Sequence, residues 1–97
     1  MLKKNKISVI GGAGHVGAPL GLVFSSKGYK VSLIDKNKNN INKINNSVMP
    51  YFEEGSSKLL KKMRAKKNIF ATDNLNEVRN SKFIIVCIGT PVNKKLK

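Results

Sequence analysis

Between Lys6 and Lys36 the chain reads KISVIGGAGHVGAPLGLVFSSKGYKVSLIDK, and the turn Gly12-x-Gly14-x-x-Gly17 inside it leaves few folds open. Ile7, Val9 and Ile10 form a short β-rich run with no acidic residue, the pattern of a strand buried on both faces of a parallel sheet. Gly12 lets the chain turn tightly off that strand. Gly14, lacking a side chain, lets a pyrophosphate approach the backbone, and Gly17 lets the following helix lie close to the strand. Phosphates placed there meet free N–H groups and the positive end of the helix macrodipole. A second strand, Val31, Leu33 and Ile34, ends on Asp35, 23 residues after Gly12. That is close to the ~20-residue spacing at which a carboxylate takes the ribose hydroxyls of a dinucleotide. A carboxylate there repels a 2′-phosphate, so NAD is expected rather than NADP. A GxGxxG turn alone is a weak signal; here the strand before it, the helix after it and the acid closing the next strand are all present.

The rest of the chain continues the alternation. Val16, Leu20, Val23 and Phe24 recur at helical spacing and predict the sheet-facing side of the first helix, with Gly28 as its stop. Pro19 sits near that helix's start, where a slight bend is expected. Ile41, Ile44 and Val48 predict a short helix within Asn37 to Asn46, and MPYFEEG from Met49 to Gly55 an irregular loop. Ser56 or Ser57 is placed to cap a helix whose inner face is Leu59, Leu60 and Met63. Asn68 to Thr72 reads as a third strand. Asn74 with Glu77 has the form of a capping box opening a brief helix. Phe83 to Ile88, FIIVCI, is the clearest buried strand, terminated by Gly89-Thr90-Pro91. These elements predict an α/β Rossmann-like parallel sheet of order 3-2-1-4 with right-handed crossovers. Strands 1 and 4 are then neighbours, and the loops leaving them, Gly11 to Gly17 and Gly89 to Pro91, flank a crevice at the topological switch point. Ninety-seven residues make one domain. Both halves of a dinucleotide fold need about six strands, and only four can be counted in residues 1–97, so either the sequence is a fragment or a truncated reading frame of an NAD-binding domain, or the remaining strands come from elsewhere.

Composition narrows the function classes. A net charge of +14, from 19 Lys and Arg against 5 Asp and Glu, raises nucleic acid as a partner. The lysines are scattered, however, no aromatics interleave with them for base stacking, and asparagine is enriched beside them, so specific nucleic-acid binding is not expected. The stretch Ile7 to Ser26 is uncharged apart from its histidine but is interrupted by glycines and a proline; neither a membrane span nor a targeting segment is expected, and a cytoplasmic protein is. The single cysteine, Cys87, excludes an internal disulfide and a cysteine-built zinc site, and one histidine adds no metal cluster. Cys87 inside FIIVCI reads as a small buried hydrophobe rather than a nucleophile. His15 at a helix N-terminus reads as a packing or hydrogen-bonding group, and Glu53 and Glu54, being adjacent, as a solvated loop rather than an acid/base pair.

Four stretches together resemble the NAD-binding domain of the nucleotide-sugar 6-dehydrogenases, the UDP-glucose and UDP-N-acetylmannosamine dehydrogenases. They are ISVIGGAGHVGAPLGLVF, VSLID, MPYFEEGSSKLL, and FIIVCIGTPV after ATDNLNEV. The resemblance implies oxidation of the C6 hydroxyl of a UDP-sugar to the uronic acid, by two hydride transfers to NAD through a cysteine-bound thiohemiacetal, in a homo-oligomer serving polysaccharide synthesis. It places Gly12, Ala13, Gly14, His15, Val16 and Gly17 against the cofactor. It further places Asp35 at the adenosine ribose with Asn40 nearby, and Gly89, Thr90 and Pro91 by the pyrophosphate or nicotinamide ribose. Two positions depart from the family pattern: His15 stands where tyrosine is frequent, and Asn40 where a basic residue is common. The family's catalytic cysteine and lysine fall beyond position 97, so the chain alone is expected to be inactive. The alternative is a stand-alone NAD-binding module or sensor.

Overall fold

The computed structural model describes residues 3–51 and 54–87. Four parallel strands form one sheet: β1 (Lys3–Ile10), β2 (Lys30–Ile34), β3 (Ile69–Thr72) and β4 (Ser81–Val86), in the order β3-β2-β1-β4. Three helices alternate with them, α1 (Gly17–Ser26), α2 (Lys38–Asn45) and α3 (Ser56–Ala65), and a 3₁₀ turn (Leu75–Asn80) leads into β4. In register Ile7 lies beside Val31 and Phe83, Val9 beside Leu33 and Ile85, and Val31 beside Ile69. Alternation along each strand puts these residues on one face. There Ile7, Val9, Val31, Leu33 and Ile69 are almost wholly buried, in one core with Ala18, Leu22, Ile41, Ile44, Leu60 and Met63. The opposite face carries Lys6, Ser8 and Ser32, all buried. Ser8 hydrogen-bonds Ser81, and Lys6 pairs with Glu77 of the 3₁₀ turn at 3.5 Å.

The helix α1 turns a different side to the sheet from the one its apolar spacing predicts. Its buried residues are Gly17, Ala18, Gly21, Leu22 and Ser25, whereas Val16 and Val23 are exposed. Small residues win because the helix lies so close to β2 that a Cβ on Gly21 would collide with the Leu33 side chain. Larger residues cannot occupy that seam, so the apolar stripe is displaced outward. Pro19 is the third residue of α1, within the first turn, where backbone amides lack intrahelical acceptors anyway, and the helix runs through it. Gly28, at φ 102°, takes the expected left-handed position past the helix end.

Further expectations need correction. Val48 is exposed, although Ile41 and Ile44 are buried as their spacing predicts. Neither Ser56 nor Ser57 caps α3; Gly55, left-handed at φ 80°, occupies the cap and offers no side chain, while the Ser57 hydroxyl accepts from the Met49 amide instead. Asn74 caps its segment through the Asn76 amide, but that segment is 3₁₀ rather than α. The largest departure is β4. It ends at Val86, and Phe83, Ile84 and Val86 are about half exposed, at 52%, 49% and 55%. A continuous apolar run encodes cover on both faces; β4 is the sheet edge, and that cover is not found among the described residues.

Candidate dinucleotide site

The glycine turn has one long hydrogen bond of its own, from the Gly14 amide to the Gly11 carbonyl at 3.3 Å, and is otherwise held by close contact and by the end of β2. The amides of Gly11 and Gly12 both donate to the Ile34 carbonyl, at 2.8 and 3.0 Å, which pins the turn to the end of β2. A Cβ on Gly17 would meet the Gly11 carbonyl oxygen and lie 2.8 Å from the Gly12 Cα, so only glycine lets α1 begin there. Gly14 differs: a Cβ on it would find its nearest neighbour, the Gly11 carbonyl oxygen, at an ordinary 3.5 Å. Nothing in the packing of the described residues demands glycine at that position.

Three consecutive amides stand open at this point. The N–H groups of His15, Val16 and Gly17 donate to no acceptor among the described residues, whereas Ala18 already donates to the Gly14 carbonyl at 3.1 Å. Val16 caps α1 without any side-chain hydrogen bond, and the first turn holds no acidic residue. Orphan donors at the head of a ten-residue helix, with no carboxylate to satisfy them, form a ready receptor for phosphate oxygens.

Asp35 stands beside them, and its role is wider than the sequence suggests. One carboxylate oxygen accepts from the Ala13 amide at 2.9 Å and the other from the Asn37 amide at 3.0 Å. The carboxylate therefore ties the glycine turn to the loop after β2, while its partial exposure leaves its remaining lone pairs open to a diol. Asn40 is buried. Its amide nitrogen donates to the Ala13 carbonyl at 3.0 Å and to the Tyr51 hydroxyl at 3.2 Å. The side chain at the position where the family resemblance expects a basic group is thus occupied in fastening the turn to Tyr51. Tyr51 completes the fastening by stacking on His15, with ring centroids 3.7 Å apart.

The structure brings Gly12, Ala13, Gly14, His15, Val16, Gly17, Asp35 and Asn40 together around one turn. The end of β4 reaches the same place, since the Cys87 amide donates to the Ile10 carbonyl at 2.8 Å. Cys87 itself is half-buried against the core, consistent with a packing role. Gly89, Thr90, Pro91 and Glu53 lie outside the described residues; Glu54 is exposed. Tyr51 was not foreseeable as a site residue, because an aromatic ring in an irregular loop carries no periodic signal. The described residues contain no group of His, Cys, Asp and Glu able to hold a metal, and no helix among them is long and apolar enough to cross a membrane.

Comparison with known proteins identifies the family of the domain that carries this turn. Residues 5–97 match the NAD binding domain of the UDP-glucose/GDP-mannose dehydrogenase family. The UDP-N-acetyl-D-mannosamine dehydrogenase of Pyrococcus horikoshii is 31% identical over 88 residues, which are 91% of this chain and 21% of that protein. The UDP-glucose 6-dehydrogenase TuaD of Bacillus subtilis is 34% identical over 90 residues, 92% of this chain and 19% of the other. Among solved structures, GDP-mannose dehydrogenase from Pseudomonas aeruginosa superposes with a TM-score of 0.85 at 31% identity, covering 92% of this chain and 20% of that one. The chain therefore spans about a fifth of the length of the relatives it matches.

Proposed function

The chain belongs to the UDP-glucose/GDP-mannose dehydrogenase family through its NAD-binding domain, and from that premise we propose that it forms the adenosine and pyrophosphate half of the NAD site in an enzyme oxidising the C6 hydroxyl of a UDP-sugar to the uronate. The row of open amides from His15 to Gly17 carries this reading. Those N–H groups receive the pyrophosphate, and the Asp35 carboxylate, held by Ala13 and Asn37, receives the adenosine ribose hydroxyls. Its negative charge disfavours a 2′-phosphate. Asn40 and Tyr51 keep the turn and the loop in register, so the amides are oriented before the cofactor arrives. When bound, NAD accepts the hydrides of the oxidation. The thiol nucleophile and the sugar-binding groups are not assigned to the described residues.

The test is calorimetric titration of the purified chain with NAD and with NADP, followed by an assay for UDP-sugar-dependent NADH formation. Saturable NAD binding, weaker NADP binding and no NADH are expected. Equal affinity for the two cofactors would refute the role given to Asp35. Turnover by the chain alone would refute the assignment of catalysis to other residues.

A further inference from the structure

At the end of the sheet remote from the glycine turn, a cleft of about 290 Å³ is lined by Asn5, Lys6, Lys30, Lys67, Asn68 and Phe70. Its charge is unbalanced. Lys6 and Lys30 are register partners on β1 and β2 and emerge from the same face of the sheet. Like charges placed directly opposite on adjacent strands destabilise a sheet. Among the described residues a single carboxylate, Glu77, is in reach, and it belongs to Lys6, whose ammonium also lies 5.5 Å from the centre of the Phe70 ring. Lys30 donates to a neutral acceptor, the Asn68 side-chain oxygen, at 2.8 Å, and among the described residues neither Lys30 nor Lys67 has an acidic partner. Lys67, which also lines the cleft, takes a left-handed conformation, φ 60°. Three lysines from three separate segments therefore line, with one carboxylate in reach among the described residues, a hollow close to the lower size limit of small-molecule sites, about 300 Å³.

We propose that this cleft binds a small phosphate-class anion, inorganic phosphate or a phosphomonoester, through Lys30 and Lys67, with the second N–H of the Asn5 and Asn68 side-chain amides as further donors, the first being given to the Gly28 carbonyl at 3.5 Å and the Ser25 carbonyl at 3.4 Å. The anion supplies the negative charge that the fold omits, and charge-assisted hydrogen bonds hold it. The site is separate from the dinucleotide turn and independent of the family assignment.

The proposal is tested by amide-resolved NMR of the whole 97-residue chain. Inorganic phosphate and glycerol 3-phosphate are titrated in parallel against sodium chloride at matched ionic strength, for the wild type and for Lys30→Gln. Saturable phosphate shifts are expected at Lys6, Val31 and Asn68, weakened about tenfold in Lys30→Gln, one charge-assisted contact amounting to about that factor. Any shifts at His15 to Gly17 should be equal in the two proteins. Tighter binding of glycerol 3-phosphate than of inorganic phosphate identifies a phosphomonoester ligand, and the reverse order the free ion. Melting curves give a second readout. Lys30→Gln should melt no lower than the wild type in chloride, because a like-charge neighbour is removed, and should gain less from phosphate. Shifts that fail to saturate, that match those in chloride, or that survive Lys30→Gln unchanged overturn the proposal. So does a short DNA duplex that binds the same residues more tightly than phosphate, which would make the cleft part of a nucleic-acid surface.

Discussion

Gly14 and Gly17 lie three residues apart in one motif, yet alanine at the two positions should have opposite consequences. At Gly17 the added methyl meets the Gly11 carbonyl oxygen and sits 2.8 Å from the Gly12 Cα. Both are backbone atoms that cannot rotate aside, so α1 must lift from the turn. Overpacking of this kind costs about 1–3 kcal/mol, and in a domain of this size each kcal/mol lowers Tm by roughly 4–8 °C. At Gly14 the nearest atom would be 3.5 Å from the new methyl, and the residue is not among the glycines at positive φ. Gly14→Ala should therefore be neutral or stabilising, by about 0.4–1 kcal/mol through a less disordered unfolded chain. On the proposed reading a pyrophosphate approaches the open amides past this position, so NAD affinity should fall by about tenfold or more, some 1.4 kcal/mol. Circular dichroism melts and calorimetric NAD titration of both variants separate the two effects. The reasoning is refuted if Gly14→Ala binds NAD as the wild type does, or if Gly17→Ala melts unchanged.

Asn40→Ala removes two hydrogen bonds from a buried side chain and leaves the Ala13 carbonyl without that donor. A loss of about 1–3 kcal/mol is expected by urea denaturation, with faster amide exchange around Tyr51. Asp35→Asn leaves a single side-chain oxygen to serve the Ala13 and Asn37 amides. It should cost about 1–3 kcal/mol and narrow the gap between NAD and NADP affinity measured by calorimetry. Ser47 closes α2 at φ 67°, a conformation costing a non-glycine residue roughly 1–2 kcal/mol. Ser47→Gly should accordingly raise the melting temperature, and an unchanged or lower value would contradict the strain assigned to that position.

The sequence announced the sheet and the turn because their codes are local. A β-rich run meeting GxGxxG, an acid closing the next strand and helices between strands are sufficient to order the sheet 3-2-1-4. Burial along α1 was half legible: Gly17 announced the close approach of helix to strand, but the apolar spacing did not say that so close an approach buries Ala18 and Gly21 and turns Val16 and Val23 outward. The run FIIVCI led to an expectation of two-sided cover that the described residues do not supply, because exposure of Phe83, Ile84 and Val86 depends on what lies beside the edge, which a strand's own residues do not state. At the site, Asp35 and the glycines were legible, whereas the His15–Tyr51 stack and the Asn40 clasp depend on loop geometry without a periodic signature.

The central claim is that the bare amides at the head of α1 receive the phosphates of NAD. Amide-resolved NMR of the chain during an NAD titration examines it directly. The account predicts saturable shifts centred on His15, Val16 and Gly17, with smaller ones reaching Ala13 and Asp35. Saturable NAD binding that leaves those three amides unmoved would contradict it.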